Sequence, residues 1–512
     1  MTINDTQQLA PSSPSPHAHS DFDELLADLI HTDATSRHAA FQLLAARVLA
    51  TGPSPQTAAL AERITDRLGA ADSALSGELL FLLGLLADRV GDADTASAVQ
   101  VREAVRRGLG TGLSLLALPG LSERTRVALL YLLAQFPRDR ARIPASPGPH
   151  IGALEWARLR RCVDELDPDD PVLGRAWPSP AGWVLTPDEL EADRAWALSL
   201  DRERAEFVWR KDTRTLLAYC GARAYAALRA PLDDETPQDL PVPGPPEASA
   251  AEARDIDVSI LCCPHCGGSL ARQFPVVRCR SCAARYDETP GFLDLSGADE
   301  SGTDQIAGNS PMYLDRYEPL LRPAFLRVTG ANWSEGVTVA QEDEFLARHL
   351  PASSGPVLDL AAGAGRWTAV LAGQVGARRL IAMDLATAMV RRLRRVLPDV
   401  AALRGSAERI PFADGSLGAV SCWNALQSMA DPARVIADVG RCLRPGGVFT
   451  LLTFTTSTDP VYRYFQQRHE DCLTVRSFPR DELLAMFDAA GLSPIDERSH
   501  ESLVMIAAVR RG

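Results

Sequence analysis

Lysine is all but missing from these 512 residues: Lys211 stands alone, and arginine carries every other basic side-chain charge. That bias reads as a property of the coding sequence and carries no functional meaning. Long apolar runs are missing as well. The longest, "LLFLLGLLA" at 79–87, falls far short of the roughly 20 residues a helix needs to span a bilayer. Residues 1–30 have no basic start followed by an apolar run, so no secretory leader is expected and the expected compartment is the cytoplasm. Positive charge is short too. The formal net charge is −13, with the acid excess in the first 310 residues, so no long-range pull toward a phosphate backbone is evident.

What remains is ordinary globular composition, 46% hydrophobic and 23% charged. A single core stops growing at about 250–300 residues, so a chain of this length is expected to divide into several domains. Residues 1–20 are rich in Ser and Pro and read as a disordered tail. From residue 21 to 230 apolar residues recur at three and four positions between Gly, Pro and Asp breaks, which predicts an all-helical domain. Within it, "TPDE" sets Thr186 as a cap before a proline at the first helical position. Trp177, Trp183, Trp196 and Trp209 fall close together there and read as core packing. The successive segments "LLFLLGLLADRV", "VREAVRRGL" and "RTRVALLYLLAQF" resemble the stacked helical hairpins of HEAT-like proteins. Proline, acid and small residues at 231–255 mark a linker.

Cysteine is sparse except between 256 and 296. There "CPHC" and "CRSC" pair Cys263 with Cys266 and Cys279 with Cys282, each pair split by two residues and the two pairs by twelve. In a reducing compartment four such thiols predict one tetrahedral structural zinc ion, Zn2+, with a strand and its return between the knuckles. A site closed by four protein ligands offers no open position for Lewis-acid chemistry. Cys262 is expected to be a buried bystander and His265 an exposed residue that does not bind the metal.

Farther on, "VLDLAAGAGRW" at 357–367 places an apolar strand before a loop of small residues that opens a helix, and Asp384 ends the next apolar run. This is a nucleotide-type crevice at the carboxyl edge of a parallel sheet. A dinucleotide would need a third glycine where Thr368 stands. S-adenosyl-L-methionine has no pyrophosphate; its carboxylate can use a helix amino end, and Asp359 and Asp384 suit its ammonium and ribose.

With "RGSAERIPFADGSLGAVSCWNALQSMADPARVIADVGRCLRPGGVFTLLTF" following, the region resembles the class I S-adenosylmethionine-dependent methyltransferases, the UbiE-like group in particular, in the order and spacing of its segments. The resemblance implies that the methionine part is held by Asp359, Ala361, Gly363 and Gly365, the ribose by Asp384, and the adenine by the turn at Gly405, Ser406, Ala407 and Glu408. Asn424 is implied to line the methyl site, and Arg444 to Gly447 to form the turn before the fifth strand. Two residues depart from the pattern: Ala361 replaces a first glycine and Ser406 an aspartate. Segment 311–323, "PMYLDRYEPLLRP", resembles the cap that precedes this fold in relatives with an amino-terminal zinc ribbon; Tyr313, Tyr317 and Arg322 either close over the cofactor or pack structurally.

The expected fold is therefore multidomain: an all-α N-terminal domain, a small zinc ribbon at 256–296, and a C-terminal α/β Rossmann-like methyltransferase domain at 305–512. No catalytic residue is assigned, since His469 and His500 read as surface or core and Gln427 and Ser428 stand where many relatives carry histidine. The leading reading is methyl transfer to a small-molecule or peptide substrate in specialised metabolism, with the helical front recruiting a protein partner or carrier. An RNA methyltransferase of the ribosomal guanine type is the alternative. It is weakened because the ribbon's Arg272, Arg278, Arg280 and Arg285 are matched by Asp257, Asp287, Glu288 and Asp294 and stacking aromatics are few. Arg391, Arg392, Arg394 and Arg395 form a basic helix face, read as solvated. A non-catalytic scaffold with the same fold is the third reading.

Overall fold

The computed structural model describes residues 22–33, 36–91, 93–116, 118, 120–146, 151–169, 187–232, 256–273, 276–289, 291–297, 314, 317–350 and 354–512. The expected tail, all but two residues of the linker, Thr186, Trp177, Trp183 and Tyr313 lie outside these residues. The chain forms two compact units, Met1–Phe136 with Gly148–His150, and Pro137–Pro147 with Ile151–Gly512.

The first unit is helical: α1 (Phe22–His31), α2 (Arg37–Thr51), α3 (Pro55–Leu68), α4 (Ser73–Val90), α5 (Ala96–Leu116) and α6 (Glu123–Ala134). Its helix starts are written in the sequence. Ser54 and Thr57 exchange side-chain and backbone hydrogen bonds around Pro55, and Asp72 accepts from Leu75 N at 2.8 Å. Helix α4 is apolar on nearly all sides and buried accordingly, with α6 packed against it and α3 against α5. Gly84 makes the α4–α6 approach possible, because a Cβ there would stand 2.7 Å from the Tyr131 ring. The Tyr131 hydroxyl then donates to Asp88 at 2.9 Å.

The second unit begins with α7 (Ala153–Glu165), α8 (Pro187–Ser199) and α9 (Arg202–Arg229). The Trp209 indole donates to Glu165 O at 2.9 Å, and the Cys162 and Cys220 sulfurs lie 3.9 Å apart, joining α7 to α9. Four short strands follow: β1 (Leu270–Gln273), β2 (Val276–Cys279), β3 (Arg285–Thr289) and β4 (Phe292–Asp294). Then come α10 (Arg322–Gly330), α11 (Val339–His349), β5 (Val357–Leu360), α12 (Arg366–Val375), β6 (Leu380–Asp384), α13 (Thr387–Val396), β7 (Ala401–Arg404), β8 (Leu417–Trp423), α14 (Pro432–Cys442), β9 (Leu443–Phe454), α15 (Pro460–Leu473), α16 (Arg480–Ala489), β10 (Leu492–His500) and β11 (Leu503–Arg510).

These strands make one sheet in the order β1-β2-β3-β4-β7-β6-β5-β8-β9-β11-β10. From β4 to β9 neighbours run parallel, while β11 is antiparallel to both β9 and β10. Strand β8 is buried along its whole length, as expected of a central strand covered on both faces. Phe345, Trp367, Leu371 and Leu393 from α11, α12 and α13 cover one face. Val435, Ile436 and Val439 of α14 and Phe487 of α16 cover the other, in a core continuous with Leu261, Val277 and Tyr286 of the cysteine-bearing segment. Strand order reverses at β5, which lies between β6 and β8; ligands of such sheets bind at the carboxyl ends there.

Helix α9 lies along α15 within this unit. Gly221 leaves room for the Phe465 ring, Tyr225 donates to Asp459 at 2.5 Å, and Tyr219 meets Trp333 edge-on at 5.3 Å.

Candidate functional site

Two clusters of chemistry-bearing side chains emerge. In the first, the Cys263, Cys266, Cys279 and Cys282 sulfurs all lie within 4.8 Å of one another, with Cys263 to Cys282 at 3.7 Å and Cys266 to Cys279 at 3.5 Å. A tetrahedral ion with metal–sulfur bonds of about 2.3 Å sets sulfurs about 3.8 Å apart, so the donor set fits one. The backbone supports that geometry. The Ser281 and Cys282 amides point at the Cys279 sulfur at 3.3 and 3.4 Å and, with the Cys282 amide foremost, bring its thiol down to about 6. Gly268 is required beside them, since a Cβ would stand 2.7 Å from Ser281 Cβ. His265 is exposed; Cys262 is half-buried, its thiol directed to Phe412 O at 3.3 Å.

The second cluster lies at the carboxyl ends of β5, β6 and β8. The turn after β5 needs left-handed backbone at Ala361 (φ 58°), Gly363 (φ 55°) and Gly365 (φ 98°), and Asn424 after β8 adopts φ 56°. Ala361 thus takes the conformation that a glycine would adopt without strain. Gly363 N donates to Asp384 Oδ2 and Ala386 N to Asp384 Oδ1, each at 2.8 Å, which fixes the carboxylate beside the loop. Asp359 is 2% exposed and accepts from the Thr368 hydroxyl at 2.5 Å. Burial pushes its carboxyl up to about 7, against the Thr368 hydrogen bond, with the Asp384 charge adding to the rise. Thr368, conspicuous in the sequence only as a missing glycine, is the partner of that buried acid.

The adenine-side turn is arranged differently. The Ser406 hydroxyl accepts from Glu408 N at 3.3 Å and caps a short turn. Glu408 Oε1 accepts from Ala430 N at 2.7 Å, so this carboxylate ties the turn to the segment entering α14. Ala407 is half-buried between them. Asn424 is buried, accepts from Gln427 Nε2 at 3.2 Å, and is joined through Gln427 to Thr453 Oγ1 at 3.3 Å.

Tyr317 completes the enclosure. Its hydroxyl is hydrogen-bonded to Asn424 and senses the Asp384 charge, and burial pushes it up to about 12. Beneath it Arg322 donates to both oxygens of Glu342 at 2.6 Å, its guanidinium 4.6 Å from the Trp367 ring centroid, while the Trp423 indole donates to Glu342 at 2.9 Å. Sequence reading named Tyr317 and Arg322, saw Thr368 only as a missing glycine, and gave no signal for Glu342 or Thr453. His469 is buried with neither ring nitrogen hydrogen-bonded; burial lowers it to about 3, and it packs on Phe325 at 5.7 Å. His500 stands against Gly336.

Comparison with known proteins places this geometry. The methyltransferase-domain family matches residues 357–447, from β5 into β9. A demethylmenaquinone methyltransferase of Mycolicibacterium vanbaalenii is 31% identical over 167 residues, 28% of this chain and 72% of that protein. An uncharacterized chloroplastic methyltransferase of Arabidopsis thaliana is 26% identical over 282 residues, 49% of this chain and 78% of its own. An uncharacterized methyltransferase of Mycobacterium bovis is 44% identical over 98 residues, covering 19% of this chain and 39% of the relative. Among solved structures, geranyl diphosphate C-methyltransferase of Streptomyces coelicolor A3(2) superposes at a TM-score of 0.30 and 17% identity, over 33% of this chain and 77% of that one. No helix among the described residues is long and apolar enough to cross a membrane. Parallel sheet, switch-point loop and relatives agree: this chain belongs to the class I S-adenosylmethionine-dependent methyltransferases.

Proposed function

We propose that the protein moves the methyl group of S-adenosyl-L-methionine to a small-molecule or peptide acceptor in specialised metabolism. The observation that carries this reading is the loop after β5, where left-handed backbone at Ala361, Gly363 and Gly365 meets the Asp384 carboxylate fixed by the Gly363 and Ala386 amides. Tyr317 is bonded to Asn424, and Trp367, Trp423 and Phe454 share one apolar cluster with Phe325 packed on it. The ribbon's Arg272 supports the same choice, since it pairs with Glu288 at 2.9 Å. One relative named above is a demethylmenaquinone methyltransferase.

When bound, the cofactor supplies a sulfonium methyl that is already electrophilic. In this reading Asp359, Ala361, Gly363 and Gly365 hold its methionine part, and Asp384 accepts from its ribose hydroxyls. Ser406, Ala407 and Glu408 shape the adenine turn, and Asn424 lines the methyl site. The amino end of α12 favours the cofactor carboxylate. Catalysis then rests on alignment of the acceptor in line with the methyl. Zn2+ in the four-cysteine knuckle is structural, held in a reducing cytoplasm where thiols stay available. The α3–α5 and α4–α6 pairings support a stacked helical front that recruits a protein partner or carrier.

The test is transfer of labelled methyl from S-adenosyl-L-methionine. Label should enter small-molecule or peptide fractions of an extract at moderate salt. Label confined to RNA and lost steeply as salt rises would replace this reading with the RNA alternative.

A further inference from the structure

The cysteine-bearing segment does not hang beside the sheet; it is hydrogen-bonded into it along two seams. At one, Cys262 N donates to Pro411 O at 3.0 Å and Ala413 N to Ile260 O at 2.9 Å, forming an antiparallel bridge between Leu261 and Phe412. At the other, β4 pairs in parallel with β7, Leu293 opposite Leu403 and Asp294 opposite Arg404, and Leu295 N donates to Arg404 O at 2.8 Å.

The second seam ends where the cofactor reading places the ribose and adenine. Arg404 is the last residue of β7, directly before Gly405 and Ser406. Its guanidinium meets Asp294 at 2.9 Å on one side and donates through Nε to Leu385 O at 3.0 Å on the other. Leu385 follows Asp384, and Gly405 N donates to Asp384 O at 3.0 Å. Asp294 is itself held, its Oδ1 accepting from Ser296 N at 2.9 Å and Ser296 Oγ at 2.6 Å. One arginine, with a side chain 15% exposed, therefore locks three things together: the exit strand of the cysteine segment, the loop after β6 and the turn after β7.

We infer that Asp294 and Arg404 are positioning residues through which the metal-binding segment sets the ribose and adenine loops, so that metal occupancy and cofactor affinity are thermodynamically linked. This rests on the cofactor reading above. The pair is charge-assisted and mostly buried, the class of hydrogen bond whose loss is felt. Linkage is reciprocal: whatever factor the metal adds to cofactor affinity, the cofactor adds to metal affinity.

The experiment uses the full-length zinc-loaded protein and S-adenosylhomocysteine as the probe. Asp294→Ala should bind it about tenfold more weakly, while zinc remains at one ion per chain. Asp294→Asn, which keeps an acceptor for Arg404, should fall between Ala and wild type. Glu288→Ala, which breaks the Arg272 pair inside the segment but not the seam, should bind the probe as wild type does. Saturating probe should raise the chelator concentration needed to strip zinc from wild type, and do so less in Asp294→Ala. Equal probe affinity in Asp294→Ala and wild type, or an equal loss in Glu288→Ala, would overturn the linkage alone. A wild type that binds no probe would overturn the cofactor reading with it.

Discussion

The four-cysteine knuckle and the loop after β5 are built on opposite plans. In the knuckle the donors face one another: four sulfurs within 4.8 Å, with backbone amides aimed at Cys279. The four sulfurs close on one point, and folding is the task proposed for such a centre. At the loop, donors and acids converge from β5, β6, β8 and the Tyr317 segment and pair in several places rather than on one point. Left-handed backbone at Ala361 and Asn424 and a buried Asp359, its carboxyl raised by burial, are held there by the surrounding fold. Strain and a displaced pKa gathered at one sheet edge accord with the proposed cofactor site there. A cysteine cluster draws the eye first in the sequence, yet the proposed chemistry lies about a hundred residues downstream.

The comparison can be broken most forcefully at the knuckle. Cys279→Ser should bring zinc content measured by mass spectrometry from one ion per chain to near zero, and lower stability by several kcal/mol. A variant that kept its fold and stability but lost all methyl transfer would move the chemistry into the knuckle. A smaller effect is expected from Asp359. Its carboxyl is raised from its ordinary 3.8 to about 7, so the protonated form favours the fold. That contribution is complete below about pH 4 and is lost as pH rises through 7. The melting temperature of the cofactor-free protein should show this decline, and Asp359→Asn should flatten it. Since the bound ammonium favours the ionised acid, calorimetry near pH 6 should detect proton release on S-adenosyl-L-methionine binding, and none from Asp359 in the variant.

His469 has the opposite sign. Held neutral and lowered to about 3, it contributes stability that is present above pH 6.5 and lost as pH falls toward 3. His469→Phe should shift the acid-unfolding midpoint to lower pH, measured by circular dichroism; an unchanged midpoint would mean that the ring finds a partner in solution. The smallest effect is at Ala361. Ala361→Gly relieves left-handed strain of about 1 kcal/mol at some entropic cost, for a net gain of roughly 0.5 kcal/mol in denaturant unfolding. Destabilisation instead would show that the alanine methyl is needed for packing.

Features set by short-range pattern were legible in the sequence. Strand, small-residue loop and helix at 357–375 follow from local periodicity, and the cysteine pairs from spacing. Features set by distant pairing were not. Nothing near Asp294 announces that it will meet Arg404, 110 positions away. Thr368 was visible only as an absent glycine, although its hydroxyl is what lets Asp359 be buried. Glu408 matched a motif, yet its carboxylate is occupied by the Ala430 amide. Helices α7 to α9 carry the same 3.6-residue pattern as α1 to α6, but they belong to the second compact unit, where Gly221 admits Phe465. Periodicity names a buried face and is silent about what buries it.

The most direct measurement is a calorimetric titration of S-adenosylhomocysteine into wild type and Asp384→Asn. The asparagine removes the charge and keeps an oxygen for only one of the Gly363 and Ala386 amides, its amino group facing the other. One site per chain in wild type, weakened about tenfold or more in the variant, is the predicted result. No heat of binding in wild type, or equal affinity in both proteins, would contradict the placement of the cofactor at the carboxyl edge of β5 and β6.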